Sequence, residues 1–100
     1  MKPFELTKSA KKDLRNIAKH TENRWGRDQR NLYAKQIDDC FNLLAKTPFV
    51  GKQCDFIKAG YRKFPYGSHI IFYREGMESK ILIIRILHKN IDIESKFLDP

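Results

Sequence analysis

Apolar positions recur at helical spacing through the first half of the chain and at strand spacing in the second. Phe4 and Leu6 alternate with polar neighbours between Pro3 and Thr7, the pattern of a short edge strand. From Ser9 the spacing lengthens. Ala10, Leu14, Ile17, Ala18, Thr21 and Trp25 fall on one stripe of a helix, and Lys8, Lys12, Arg15 and Lys19 fall nearly opposite. Trp25 is expected to staple the helix end into the core, its indole N–H finding a backbone partner. Gly26 stops this helix and Asp28 offers an N-cap for the next. In that second helix Tyr33, Ile37, Cys40, Phe41 and Leu44 form a single stripe until Thr47-Pro48 ends it. So short a linker makes the two helices antiparallel neighbours, a hairpin whose joint stripe lies on a sheet.

The sheet is encoded mainly between Gly60 and His88. Tyr61–Phe64, His69–Tyr73 and Ile81–Leu87 are rich in β-branched and aromatic residues, and polar segments containing Gly67 and Gly76 separate them. An antiparallel meander is predicted. Strict alternation along the last strand puts Ile81, Ile83, Arg85 and Leu87 on one side and Leu82, Ile84, Ile86 and His88 on the other. Arg85 is the exception in this run: a charge there needs a carboxylate or open solvent, and Asp92 and Glu94 are close in sequence. Residues 48 to 60 read as a long connection anchored by Phe49, Phe56 and Ile57, and residues 89 to 100 as a short polar C-terminal segment. The expected fold is α+β, an N-terminal strand, an antiparallel helical hairpin and a three-stranded antiparallel meander, in one domain spanning residues 1–100.

The chain's 100 residues suffice for one core. Its charge narrows the partners: 20 Lys+Arg against 12 Asp+Glu give a net +8, which favours a polyanionic or acidic partner. Both halves are positive, which places the electrostatic footprint on the folded domain rather than on a tail. Cys40 and Cys54 have no CxxC spacing and no neighbouring His, so no zinc site is encoded at them, and no metal or cofactor is expected. The first residues lack a charged-then-apolar leader and no apolar run is long enough for a bilayer, which predicts a cytoplasmic chain with free thiols and no membrane partner.

Taken in order, Ser9-Ala10, Asp13-Leu14 and Ile17, Arg24-Trp25-Gly26, Gly60-Tyr61-Arg62-Lys63-Phe64, Gly67-Ser68-His69, Ile71-Phe72-Tyr73 and Ile84-Arg85-Ile86-Leu87-His88 form a specific set. On these residues the chain resembles the ParE branch of the RelE/ParE toxin superfamily. The resemblance implies a toxin of a type II toxin-antitoxin system, paired with a ParD-like antitoxin and acting on DNA gyrase so that cleaved DNA complexes accumulate. Nucleic acid would then be touched only through the gyrase–DNA complex.

Two other functions compete with that one. An mRNA endonuclease of the RelE type needs an acid–base group and cations for the pentavalent phosphate, and Arg62, Arg85 and His88 are the candidates. Many such toxins use a tyrosine near the C-terminus, where this chain has Phe97 and no Tyr. A basic nucleic-acid-binding module is the other, since Tyr61, Tyr66, Phe72 and Tyr73 interleave with Arg62, Lys63 and Arg74 as a stacking surface would. No catalytic residue is assigned if the toxin inhibits by binding. Target contact is then expected from Arg85, His88, Lys89 and Phe97, and antitoxin contact from Lys12, Arg15, Lys19 and Arg62. His69 is expected to be structural.

Overall fold

A computed structural model describes residues 3–90. Strand β1 (Phe4–Leu6) leads into α1 (Lys8–Trp25) and α2 (Arg27–Lys46). A short turn at Pro48–Val50 and a two-residue strand, β2 (Lys52–Gln53), then precede the meander β3 (Arg62–Tyr66), β4 (His69–Glu75) and β5 (Ile81–His88). The sheet has five strands in the order β1-β5-β4-β3-β2, with β1 parallel to β5 and the remaining pairs antiparallel. The edge strand, hairpin and meander are as the sequence predicts. The added element is β2, whose residues are both polar and both exposed, so no hydrophobic period marks it.

Thr7 begins α1 and ties it to the sheet. Its hydroxyl accepts from the Ala10 amide at 3.0 Å, capping the helix, and donates to the Ile84 carbonyl at 2.7 Å. Gly26 alone separates the helices. With φ at +93° it suits a residue without a Cβ, and its amide closes α1 on the Glu22 carbonyl at 2.9 Å. It is also the N-cap of α2, so Asp28 is not the cap as expected but lies in the first turn, where a carboxylate still favours the helix dipole. Glu22 and Arg30 close the hairpin at 3.0 Å.

The core lies between the hairpin and one sheet face. It joins Phe4, Ala10, Ile17, Ile37, Phe41 and Leu44 to Ile71, Tyr73, Ile81, Ile83 and Ile86, with Phe4 edge-on to Phe41 at 5.2 Å. Trp25 is not part of it. Its side chain, on the last residue of α1, is 66% exposed, and Arg24 stacks on the ring at 5.4 Å. A second, smaller cluster on the opposite face contains Cys54, Phe72 and Leu87, with Ile57, Tyr61, Ile70 and Ile84 packed against it. Of the expected loop anchors only Ile57 packs there. Phe49 and Phe56 are exposed, and the buried anchor is Cys54. Both cysteines are free and buried.

One bulge changes the reading of β5. Tyr73 pairs with Ile83 and Phe72 with Arg85, so Ile84 is an extra residue opposite β4. The alternation predicted from sequence slips there. Ile81 and Ile83 share the helix-side core with Ile86 rather than with Leu87, and Ile84 joins Leu87 on the other face. The β3–β4 turn is tighter than the four residues read from sequence: Tyr66 pairs with His69, leaving only Gly67-Ser68, with Gly67 at φ +57°.

Candidate functional site

Beyond Leu6 no strand among the described residues lies beside the outer edge of β5, and α1 supplies a partner there. Asp13 is the centre of this arrangement. Its carboxylate accepts from Arg85 Nε at 2.7 Å, from Arg85 Nη2 at 2.9 Å and from the Ile86 amide at 3.0 Å. Two guanidinium bonds to two carboxylate oxygens form the bidentate geometry that makes Arg–carboxylate pairs strong. The side chains are only 21% and 12% exposed, so the pair is shielded from solvent, and the bond to Asp13 raises the pKa of Arg85 further above its usual range. The charge inside the apolar strand is therefore matched from α1. The nearby acids considered from sequence, Asp92 and Glu94, lie outside the described residues, as does Phe97.

Arg85 and Asp13 line a cleft of about 490 Å³ between α1 and the end of β5, shared with Ser9, Lys12, His69 and His88. His88 is exposed at the end of β5 and Lys89 follows it, its amide donating to the Ser68 carbonyl at 2.9 Å. His69 Nδ1 is 3.0 Å from the Tyr33 hydroxyl, and the His69 and His88 rings meet edge to face with centroids 5.6 Å apart. Burial, then the neighbouring His88 and His20, push the His69 pKa down, while Asp13 opposes them. The structural role expected of His69 fits its tie to Tyr33.

Arg62 is elsewhere. It donates to the Gly51 carbonyl at 2.8 Å and the Phe49 carbonyl at 3.4 Å, and its guanidinium stacks on the Phe49 ring at 5.0 Å. It clamps the loop after α2 and lines a different cavity, with Pro48, Gln53 and Tyr61. The endonuclease set is thus divided: Arg85 and His88 share the α1–β5 cleft and Arg62 does not. Lys12, Arg15 and Lys19 are exposed along α1, and Arg62 does not join them. A stacking platform is not formed either, since Phe72 and Tyr73 are fully buried and the Tyr73 hydroxyl is bonded to the loop after α2.

A shallow apolar cleft of about 310 Å³ lies on the other side of the hairpin, between α2 and β3, lined by Cys40, Leu43, Phe64 and Tyr66. Leu43 is 46% exposed, and Leu32 on the same helix is 49% exposed. Sequence spacing placed neither leucine in the core stripe, but nothing in the sequence marked them as a surface feature.

The family model of the ParE toxin of type II toxin-antitoxin systems, parDE, matches residues 4–93. The chain belongs to the ParE toxin family. It is 38% identical to Toxin ParE1 of Caulobacter vibrioides over 92 residues, covering 92% of this chain and 94% of that protein. Its identity to Toxin ParE1 of Mycobacterium tuberculosis strain CDC 1551 is 37% over 91 residues, covering 91% and 93%. Among solved structures, a chain of the chromosomal ParDE TA system from P. aeruginosa superposes with a TM-score of 0.69 at 20% identity, over 85% of this chain and 92% of the other, which shows the shared fold. This ParE-family chain carries the Asp13–Arg85 pair at one end of its sheet. No helix among the described residues is long and apolar enough to cross a membrane.

Proposed function

We propose that this ParE-family toxin arrests growth in the cytoplasm by binding DNA gyrase, without chemistry of its own, and that a ParD-like antitoxin holds it inactive. The observation that carries the non-enzymatic part is the division of the endonuclease candidates. Arg85 is engaged by Asp13 and Arg62 by backbone carbonyls in a separate cavity, so the two arginines of that set do not converge beside His88 to stabilise a pentavalent phosphate. Gyrase is the target that family membership favours. The exposed end of β5, with His88 and Lys89 beside the partly exposed Arg85, is the surface we assign to it, and Phe97, outside the described residues, is a further candidate contact from the sequence.

For the antitoxin we assign the α2–β3 cleft, where Leu43, Phe64 and Tyr66 offer apolar anchorage to an amphipathic segment. The exposed cations Lys12, Arg15 and Lys19 on α1 steer an acidic partner toward the toxin from a distance. Purified chain added separately to a gyrase supercoiling reaction and to a translating extract tests the reading. Supercoiling should be inhibited and ribosome-bound mRNA left intact; codon-positioned mRNA cuts with normal supercoiling would overturn it.

A further inference from the structure

The three histidines of the chain are distant in sequence, yet His20, His69 and His88 all line one cavity beside Tyr33. Two of them are direct cross-strand partners: His69 opens β4, His88 closes β5, and the register sets them opposite each other. Directly opposed residues project from the same face of a sheet, so both imidazoles leave the ribbon on one side. We propose that His69 and His88 form a two-point chelate for a borderline divalent metal ion, of the class Zn²⁺, Ni²⁺ or Cu²⁺, at the open end of the β4–β5 ribbon.

The ring geometry suits one shared ion. Imidazole nitrogens about 2.0–2.1 Å from a metal hold their ring centroids between about 4.5 and 6.4 Å apart as the ligand angle opens from a right angle to linear. The observed separation is 5.6 Å, with the rings at 83° to each other. His69 also has the outer support that ligating histidines use. Its Nδ1 is 3.0 Å from the Tyr33 hydroxyl, so with the proton on Nδ1 the ring donates to Tyr33 and its Nε2 lone pair is free for the ion. His88 Nδ1 accepts a bond from the Asn90 amide at 3.2 Å, a long, exposed contact that the ion would displace.

The surroundings of His69 favour its neutral form. Burial, with His88 and His20 nearby, lowers the His69 pKa, so at neutral pH its imidazole is an unprotonated donor. Arg24 lines the same cavity from α1 and adds positive charge, while Asp13 supplies the opposing carboxylate across the adjoining cleft. Among the described residues no group of three or more metal-ligating side chains is assembled. The ion therefore keeps open positions, to be filled by water or by a donor atom of a bound partner. This inference is independent of the gyrase reading.

The test is calorimetric titration of the untagged full chain with ZnCl₂, alongside nitrogen NMR of the imidazoles. One ion should bind per chain, with shifts at His69 and His88, and the melting temperature should rise with added Zn²⁺. His88→Ala, an exposed change whose fold is checked by circular dichroism, should weaken binding at least tenfold and remove the thermal shift. Tyr33→Phe, which removes only the orienting hydroxyl, should weaken it about tenfold. Absence of saturable binding, or His88→Ala binding Zn²⁺ as tightly as the unaltered chain, would overturn the proposal.

Discussion

Asp13 does three things at once: it neutralises Arg85, satisfies the Ile86 amide and joins α1 to a strand edge that β1 leaves uncovered. Removing either partner strands a largely buried charge, which costs about 3 kcal/mol for such pairs. Arg85→Ala should accordingly lower the melting temperature by roughly 10 °C or more, and Arg85→Lys should recover only part of it because an ammonium cannot make the bidentate contact. A thermal melt that left Arg85→Ala unchanged would remove the ion pair from any account of stability. His69 gives a second test at this scale. Its folded-state pKa lies below the ordinary 6.5, so the unfolded chain takes up a proton first as pH falls. Stability should be full above about pH 7, fall as pH drops through about 6.5, and level off below the depressed folded value. Melting temperatures of the parent and His69→Asn between pH 8 and 5 check this; the variant should show a flatter profile. Neither contact was legible in the sequence. Asp13 and Arg85 are 72 residues apart, and no spacing rule connects a helix position to a strand position that far away.

Among elements, the connection from α2 to β3 is held from beneath by one tyrosine. The Tyr73 hydroxyl accepts from the Gly51 amide at 2.9 Å and donates to the Pro48 carbonyl at 2.8 Å, while Arg62 grips the same loop from β3. A Cβ on Gly51 would run into that hydroxyl, so Gly51→Ala displaces the loop or the tyrosine. Tyr73→Phe leaves two backbone groups without this partner and should cost about 1–3 kcal/mol. Urea unfolding of the two variants measures both effects, and an unchanged midpoint in each would show the staple to be dispensable. The meander and the helical hairpin were readable because periodicity and glycine punctuation report on local structure. The bulge at Ile84 was not, because it interrupts the alternation on which a strand reading depends, and β2 was not, because two exposed polar residues carry no period. Trp25 misled for a related reason: it continues the apolar stripe of α1, but at the helix's last residue spacing alone does not decide burial, and its side chain is exposed.

For the whole molecule, clefts lie on two sides of the hairpin. On one, the end of β5 presents His88 and Lys89 beside the Asp13–Arg85 pair; on the other, Leu43, Phe64 and Tyr66 line the apolar cleft assigned to the antitoxin. With a net charge of +8 and exposed cations along α1, association with an acidic antitoxin should be fast at low salt and slow steeply as ionic strength rises, with dissociation changing less. Stopped-flow association rates across a salt series check this, and rates indifferent to salt would remove electrostatic steering. The exposed side of the β5 end was partly legible, since Arg85, His88 and Lys89 stand out in sequence. The apolar cleft was not, because exposure of Leu43 depends on where the sheet edge falls. The claim that the toxin acts by binding gyrase is tested most directly by incubating gyrase and supercoiled plasmid with the purified chain and then denaturing the mixture. Linear plasmid covalently attached to gyrase should accumulate with toxin concentration, and prior addition of antitoxin should prevent it. Normal supercoiling with no trapped DNA, at toxin concentrations that arrest growth, would contradict it.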